Sequence, residues 1–176
     1  PPSPKEIIRR LRKGDVLTHC FRPFPAAPAR SDGRIREEIL EARERGVIFD
    51  IGHGVGSFGF ETAETMLNAG FLPDAISSDV HSLSIKGPAY DQLVTLSKFL
   101  QMGMSVTDII AASTTGPARA IRRPDLGTLS PGSIGDATIL NIEKGEFIFT
   151  DSLGHIRSGE KKFTLKGVVL NGEMWS

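Results

Sequence analysis

Three short apolar runs, each closing on polar residues, mark the first half of the chain. They are Asp15-Val16-Leu17-Thr18-His19, Val47-Ile48-Phe49-Asp50-Ile51-Gly52-His53-Gly54 and Ala75-Ile76-Ser77-Ser78-Asp79-Val80-His81. All are too short for helices and rich in β-branched residues, so each predicts a buried strand. The middle run organises the rest. Gly52, Gly54 and Gly56 let the backbone bend tightly behind it, leaving His53 at the strand's carboxyl end.

Between these runs the apolar period lengthens to that of a helix. Ser3-Pro4-Lys5-Glu6 supplies an N-cap serine, a proline at the first helical position and a capping-box glutamate. Ile7, Ile8 and Leu11 give this short helix one apolar side, and Gly14 ends it. Residues 34–45 place Ile35, Ile39 and Ala42 on one face, with Gly46 as the C-cap. Residues 60–69, 89–101 and 106–112 predict further helices, and residues 117–121 a short turn. Residues 22–32 hold three prolines and three alanines and predict a loop, either a functional lid or a mobile surface insertion. Strand and helix alternate as in parallel α/β folds.

The pattern changes near Gly127. Short β runs follow at 136–142, 146–150, 162–165 and 168–170. Asn171-Gly172 then signals a hairpin that returns through Glu173-Met174-Trp175. A small antiparallel unit is expected here.

Composition narrows the picture. The 176 residues suffice for one ordinary domain, or for part of a large domain with an appendage. Formal net charge is zero and apolar content is 39%, which gives no reason to expect nucleic-acid or membrane binding. No apolar run has the length of a transmembrane helix, and no signal-peptide pattern opens the chain. A single cysteine, Cys20, excludes an internal disulfide framework and suits a reducing cytoplasm. The chain opens on proline, directly in a helix signal, which reads as a fragment of a longer protein.

In parallel α/β folds, sites form where side chains from different strands converge at the carboxyl ends. His19, His53 and Asp79 each fall at such an end. One histidine after a strand is ordinarily structural, and one Ser-Asp pair is ordinarily a cap. Three such coincidences reverse that expectation and make the trio a metal-site candidate, since imidazole and carboxylate are ligands that zinc accepts.

Leu17-Thr18-His19-Cys20-Phe21, Phe49-Asp50-Ile51-Gly52-His53-Gly54 and Ile76-Ser77-Ser78-Asp79-Val80-His81 resemble motifs of the amidohydrolase superfamily, nearest its dihydroorotase-like amidohydrolase/deacetylase branch. Thr115-Gly116-Pro117-Ala118 is similar to the turn after the last barrel helix there. The segment from Gly127 to Ala137 resembles the return into that family's second domain.

The resemblance implies the C-terminal part of a TIM-type (β/α)8 barrel followed by strands of a small β-sandwich. Residues 1–122 would be the barrel half and residues 123–176 the partial sandwich. It also implies a binuclear centre, with two zinc ions as the expected metals. His19 and His53 match the histidines of the fifth and sixth strands, and Asp79 the aspartate of the last. A His-x-His pair and a carboxylated lysine hold the first metal in the family; this chain has no His-x-His, and neither can be assigned. One departure stands out. No clear strand lies between those of His53 and Asp79, so either residues 57–60 form a degenerate one or the strand count is off.

By resemblance, metal-activated hydroxide would cleave an amide C–N bond, with Asp79 as general base and then general acid. Deacetylation of a small N-acyl substrate is the expected reaction. Hydrolysis of a cyclic amide, or a non-catalytic, partner-dependent domain, are the alternatives. Arg22 could meet a substrate carboxylate, and His81 either faces the same mouth or makes a loop hydrogen bond. Cys20 is expected to be buried opposite His19, and His155 to sit exposed in a turn. The missing N-terminal half of the barrel is the expected partner, self-association remains open, and the chain alone should be inactive. An apolar, unpaired flank is expected on the His19 strand.

Overall fold

The computed structural model describes residues 3–175. Its elements run α1 (Pro4–Arg10), β1 (Val16–Leu17), α2 (Glu37–Glu44), β2 (Ile48–Phe49), α3 (Phe60–Asn68), α4 (Gln92–Gln101), α5 (Val106–Ser113), α6 (Thr115–Ala120), β3 (Ala137–Thr150), β4 (Ile156–Leu170) and β5 (Glu173–Trp175).

The apolar runs become parallel neighbours. Val16 pairs with Ile48 and Leu17 with Phe49. Residues 75–78 join on the other side of β2 through the Asp50–Ala75 bridge, with the amides of Ile51, His53 and Gly54 donating to the carbonyls of Ala75, Ser77 and Ser78. The segment ending at Asp79 therefore lies directly beside the His53 strand. No strand intervenes: residues 57–59 are a turn and coil that enter α3 behind the N-cap Gly59. The run at 75–81 also stops short of a regular strand, because only its first residues find a ladder partner.

Local chemistry explains most helix ends. Ser3 and Glu6 close a reciprocal capping box on α1. α2 begins three residues later than residue 34, because Ile35 is drawn into an antiparallel bridge with Ala29 and Arg36 donates through Nε to the Ala27 carbonyl. That bridge also fastens the proline-rich loop, whose Ala27 and Ala29 are buried. α4 starts at Gln92 instead of Ala89, since the Asp91 carboxylate caps the Val94 amide.

Phe21, Phe49, Phe58, Phe60 and Phe99 are fully buried between the parallel strands and the helices. Phe58 meets Phe60 and Phe99 edge-on, at centroid distances of 5.7 and 5.6 Å.

The short β runs of the second half merge into longer strands. β3 and β4 pair antiparallel from Ala137↔Val169 to Thr150↔Ile156, with register irregularities between Ile139 and Leu140 and between Lys144 and Phe147. Gly145, Gly159 and Gly167 look like breaks in sequence; Gly159 and Gly167 keep ladder partners, Phe147 and Ile139, whereas Gly145 lies in the irregularity between Lys144 and Phe147. At Gly159 a side chain would strike that of Gln101, so the missing Cβ lets β4 lie against α4. β5 adds a third strand, Val168 pairing with Trp175.

This ribbon is hydrogen-bonded to the helices. The Phe163 amide donates to Ser97 Oγ over 2.9 Å, and the Glu160 amide to Gln101 Oε1 over 3.2 Å. Its turn is tied by Asp151, whose carboxylate accepts the Leu153 and His155 amides and the Phe60 amide at the start of α3. Among the described residues β1 is paired on one side only, which matches the unpaired flank expected of it. Ile139, Ile148, Leu165, Met174 and Trp175 are exposed on the three-stranded ribbon.

Asp151→Ala leaves three amides without their acceptor, one of them buried. Unfolding free energy should fall by about 2–3 kcal/mol, the scale of hydrogen bonds to a charged group. A urea melt of the variant checks this; an unchanged midpoint would remove Asp151 as the tie between ribbon and α3.

Candidate active site

The carboxyl ends of the parallel segments meet at the turn Gly52-His53-Gly54. Gly52 and Gly54 both have left-handed backbones, at φ +49° and +52°. Each also admits a neighbour where a side chain would stand. A Cβ on Gly52 would strike Thr18 Oγ1 first and lie 2.7 Å from His19 Nδ1, and one on Gly54 would lie 2.6 Å from Asp79 Oδ2. His19 and Asp79 thus each close over a bare glycine of the same turn. They too have left-handed φ, +58° and +46°, a conformation that costs a non-glycine residue energy and recurs at functional sites.

His19 is half-buried, and its Nδ1 lies 2.6 Å from the Gly52 carbonyl oxygen. A carbonyl only accepts, so Nδ1 carries a proton, and in the neutral ring the lone pair is on Nε2. Asp79 is exposed. Beneath them, Asp50 Oδ2 accepts the hydroxyls of Thr18 at 2.7 Å and Ser77 at 2.8 Å, while Oδ1 accepts the Ser77 amide.

His53 turns away from this pair. Its ring is fully buried and stacks on Phe58 at 4.6 Å. Nδ1 lies 3.0 Å from the Gly54 carbonyl and Nε2 lies 2.7 Å from the Lys98 ammonium. Lys98 is itself fully buried and also donates to the carbonyls of Pro88 and Thr150, at 2.7 and 2.8 Å. Burial pushes the lysine pKa down to about 7, with the charge of Asp151 acting the other way. Burial, followed by the charge of Lys98, lowers His53 to about 4. His53 is therefore neutral and has both ring nitrogens engaged.

In this structure the three side chains sit in two places, His19 and Asp79 on the glycine turn and His53 against Lys98. Among the described residues, no three His, Cys, Asp or Glu side chains stand close enough to hold a metal ion together. The strand places His53 at the right end of the sheet, but the aromatic shelf of Phe58 and the Lys98 ammonium set where its ring points.

Arg22 is exposed and shares with His19, Leu17, Pro25 and Ile39 a cavity of about 430 Å³ along the open flank of β1. His81 is exposed, and its Nδ1 accepts the Leu83 amide at 3.3 Å, a local loop contact. The buried Cys20 thiol is pushed well up in pKa, by desolvation first and then by the nearby Asp50 charge, so it behaves as a small hydrophobe. His155 is exposed in the ribbon turn, its Nδ1 3.4 Å from Asp151.

The amidohydrolase family model matches residues 27–175. The chain belongs to the amidohydrolase family. It is 34% identical, over 99% of its length, to a deacetylase from Enterococcus faecalis (strain ATCC 700802 / V583), of which it covers 48%. A solved adenine deaminase is similar at a TM-score of 0.94 and 34% identity, over 99% of this chain and 48% of that one. A solved dihydroorotase gives 0.80 and 31%, over 97% of this chain and 45% of that one. The chain spans about half the length of the relatives it matches. No helix among the described residues is long and apolar enough to cross a membrane.

Two parts of this candidate site were not assigned from the sequence. Lys98 lies in Val94-Thr95-Leu96-Ser97-Lys98-Phe99-Leu100, where a lysine within an apolar helical stretch was an available signal. Asp50 was visible in its motif but not as a hub, since Thr18 and Ser77 are distant in sequence.

The shifted groups predict acid sensitivity. Unfolded His53 takes up a proton near its ordinary value of 6.5, whereas the folded residue resists until about 4. Between those values the unfolded state binds more protons, so stability falls as the pH drops through the window. Lys98 acts in the same direction between 10.5 and about 7. A histidine C2–H NMR titration should find one of the four resonances titrating near pH 4. Four ordinary titrations near 6.5 would contradict the buried His53–Lys98 pair.

Proposed function

We propose that this chain is the C-terminal part of a metal-dependent hydrolase that cleaves an amide C–N bond, removing the acyl group from a small N-acyl substrate. Residues 1–122 are read as the barrel half and 123–176 as strands of the sandwich. The observation that carries the reading is the shared seat of His19 and Asp79 over the Gly52–Gly54 turn. Family membership and the deacetylase name of the Enterococcus relative support the chemistry.

The donor chemistry fits a divalent cation at two of the three proposed ligands. His19 has its Nδ1 anchored on a carbonyl, leaving Nε2 as a lone pair, the usual arrangement of a ligating histidine. Asp79 offers an exposed carboxylate on the same turn. His53, the third, would have to exchange the Lys98 ammonium for the cation. Zinc is the proposed metal, and ligands for a second ion would come from the other half of the barrel. Bound there, a cation would supply Lewis-acid activation of water and of the scissile carbonyl.

The chain's own residues then divide the remaining work. Asp79 accepts a proton from water and returns it to the leaving nitrogen. Arg22, beside His19 on the cavity, is free to meet a substrate carboxylate through its planar fork. His81 borders Asp79 in sequence and is proposed as a weaker substrate contact. A second reading, hydrolytic deamination, is favoured by the likeness to the solved adenine deaminase. Assays on the full-length protein separate the two readings, since acyl removal releases a carboxylic acid and deamination releases ammonia.

In the full-length protein, Asp79→Asn should lower kcat by about two to four orders of magnitude, the usual range for acid–base assistance, with much of the metal retained. His19→Asn should lose metal first and activity as a consequence. Steady-state kinetics with metal analysis on both variants tests this. Near-normal turnover in a metal-replete Asp79→Asn enzyme would end the proton-transfer role.

A further inference from the structure

We infer that Asp50 is a positioning residue that acts through Ser77 and Gly52 to set the orientation and tautomer of His19. The inference rests on the proposed function only for its catalytic consequence; the positioning itself is a property of the folded chain.

Each link has a forced polarity. An ionised carboxylate only accepts, so the Ser77 hydroxyl points its hydrogen at Asp50 Oδ2, 2.8 Å away. Its lone pairs are then free, and Ser77 Oγ accepts the Gly52 amide at 3.1 Å. The Gly52 carbonyl in turn accepts His19 Nδ1–H at 2.6 Å.

The path replaces part of the sheet ladder. In a regular strand alternate amides face opposite neighbours. Asp50 donates to Leu17 of β1, and Ile51 to Ala75 on the other side. Gly52 should face β1 next, but its amide donates instead to Ser77 Oγ, and the left-handed φ that follows redirects its carbonyl toward His19. A side-chain hydroxyl thus holds the amide of the residue whose carbonyl orients His19, and the peptide bearing that carbonyl is itself tied to Ser77 through the His53 amide and the Ser77 carbonyl.

No Lys, Arg or His among the described residues forms an ion pair with Asp50. Hydroxyl and amide donors alone answer its charge, and a charged acceptor strengthens the hydrogen bonds linked to it. Thr18 provides an internal control. Its hydroxyl also donates to Asp50 Oδ2, at 2.7 Å, and packs against Gly52 without hydrogen-bonding to it, so it separates packing on Gly52 from the Ser77 hydrogen bond.

The test uses the full-length protein with ¹⁵N-labelled histidine and long-range ¹H–¹⁵N NMR, which reports the ring tautomers. Wild-type His19 should be the Nδ1–H form. Ser77→Ala and Asp50→Asn should shift its ring nitrogens toward a mixture of tautomers, Ser77→Thr should restore the wild-type pattern, and Thr18→Val should leave it unchanged. Ser77→Ala removes a single hydroxyl and carries the test alone if Asp50→Asn does not fold. An unaltered His19 in Ser77→Ala, or equal shifts in Ser77→Ala and Thr18→Val, would overturn the inference.

Titration with Zn²⁺ alone examines the consequence. Affinity should drop about tenfold or more in Ser77→Ala, as for lost outer-shell partners of a ligating histidine, and should hold in Thr18→Val. If wild type itself binds no Zn²⁺, the metal reading of His19 fails, while the tautomer result still decides the positioning role.

Discussion

Two peptides without side chains govern this structure. Gly52 and Gly54 bend the end of the central strand through left-handed conformations, and the space above each is filled by a neighbour's functional group. An alanine at either position would meet two costs: an unfavourable φ, and a methyl group where His19 or Asp79 now sits. The close approach of three strand ends is therefore a property of the backbone first and of the polar side chains second. Left-handed His19 and Asp79 add local strain, which the surrounding ladder and the Asp50 network hold in place.

A second constraint lies deeper. Lys98 is a buried cation whose donors are engaged by His53 from the central strand, Pro88 from the loop after Asp79, and Thr150 from the ribbon. A buried ammonium with fewer acceptors would be strongly disfavoured, so these partners are needed together. The ribbon consequently helps define the surroundings of the candidate site without contributing a residue to its mouth. Asp151 strengthens the same junction by accepting the first amide of α3.

The open side of β1 has a related logic. A parallel strand is normally covered and paired on both sides. Here β1 has β2 on one side, and on the other an apolar cavity that reaches His19 and Arg22. The chain also spans about half of the relatives it matches. Both observations agree with the proposal that further barrel strands complete this edge.

Much was legible in local sequence because its causes are local. The capping box at Ser3, the glycine stop at Gly70 and the 3.6-residue periodicity specify the start of α1 and the bounds of α3 and α5 nearly to their ends, whereas α1 stops at Arg10, short of the expected Gly14. Three strand ends carrying His19, His53 and Asp79 followed from short apolar runs and turn residues, and the motifs around them led to the amidohydrolase family. Tertiary structure decided what depends on distant partners. Polar residues 157–162 became strand because β3 supplied a ladder, something no apolar alternation could announce. The Asp79 segment took its place directly beside the His53 strand because backbone pairing, not sequence order, sets strand neighbours. His53 faces Lys98, 45 residues away, because a strand's periodicity fixes where a residue sits but only packing fixes where its ring points.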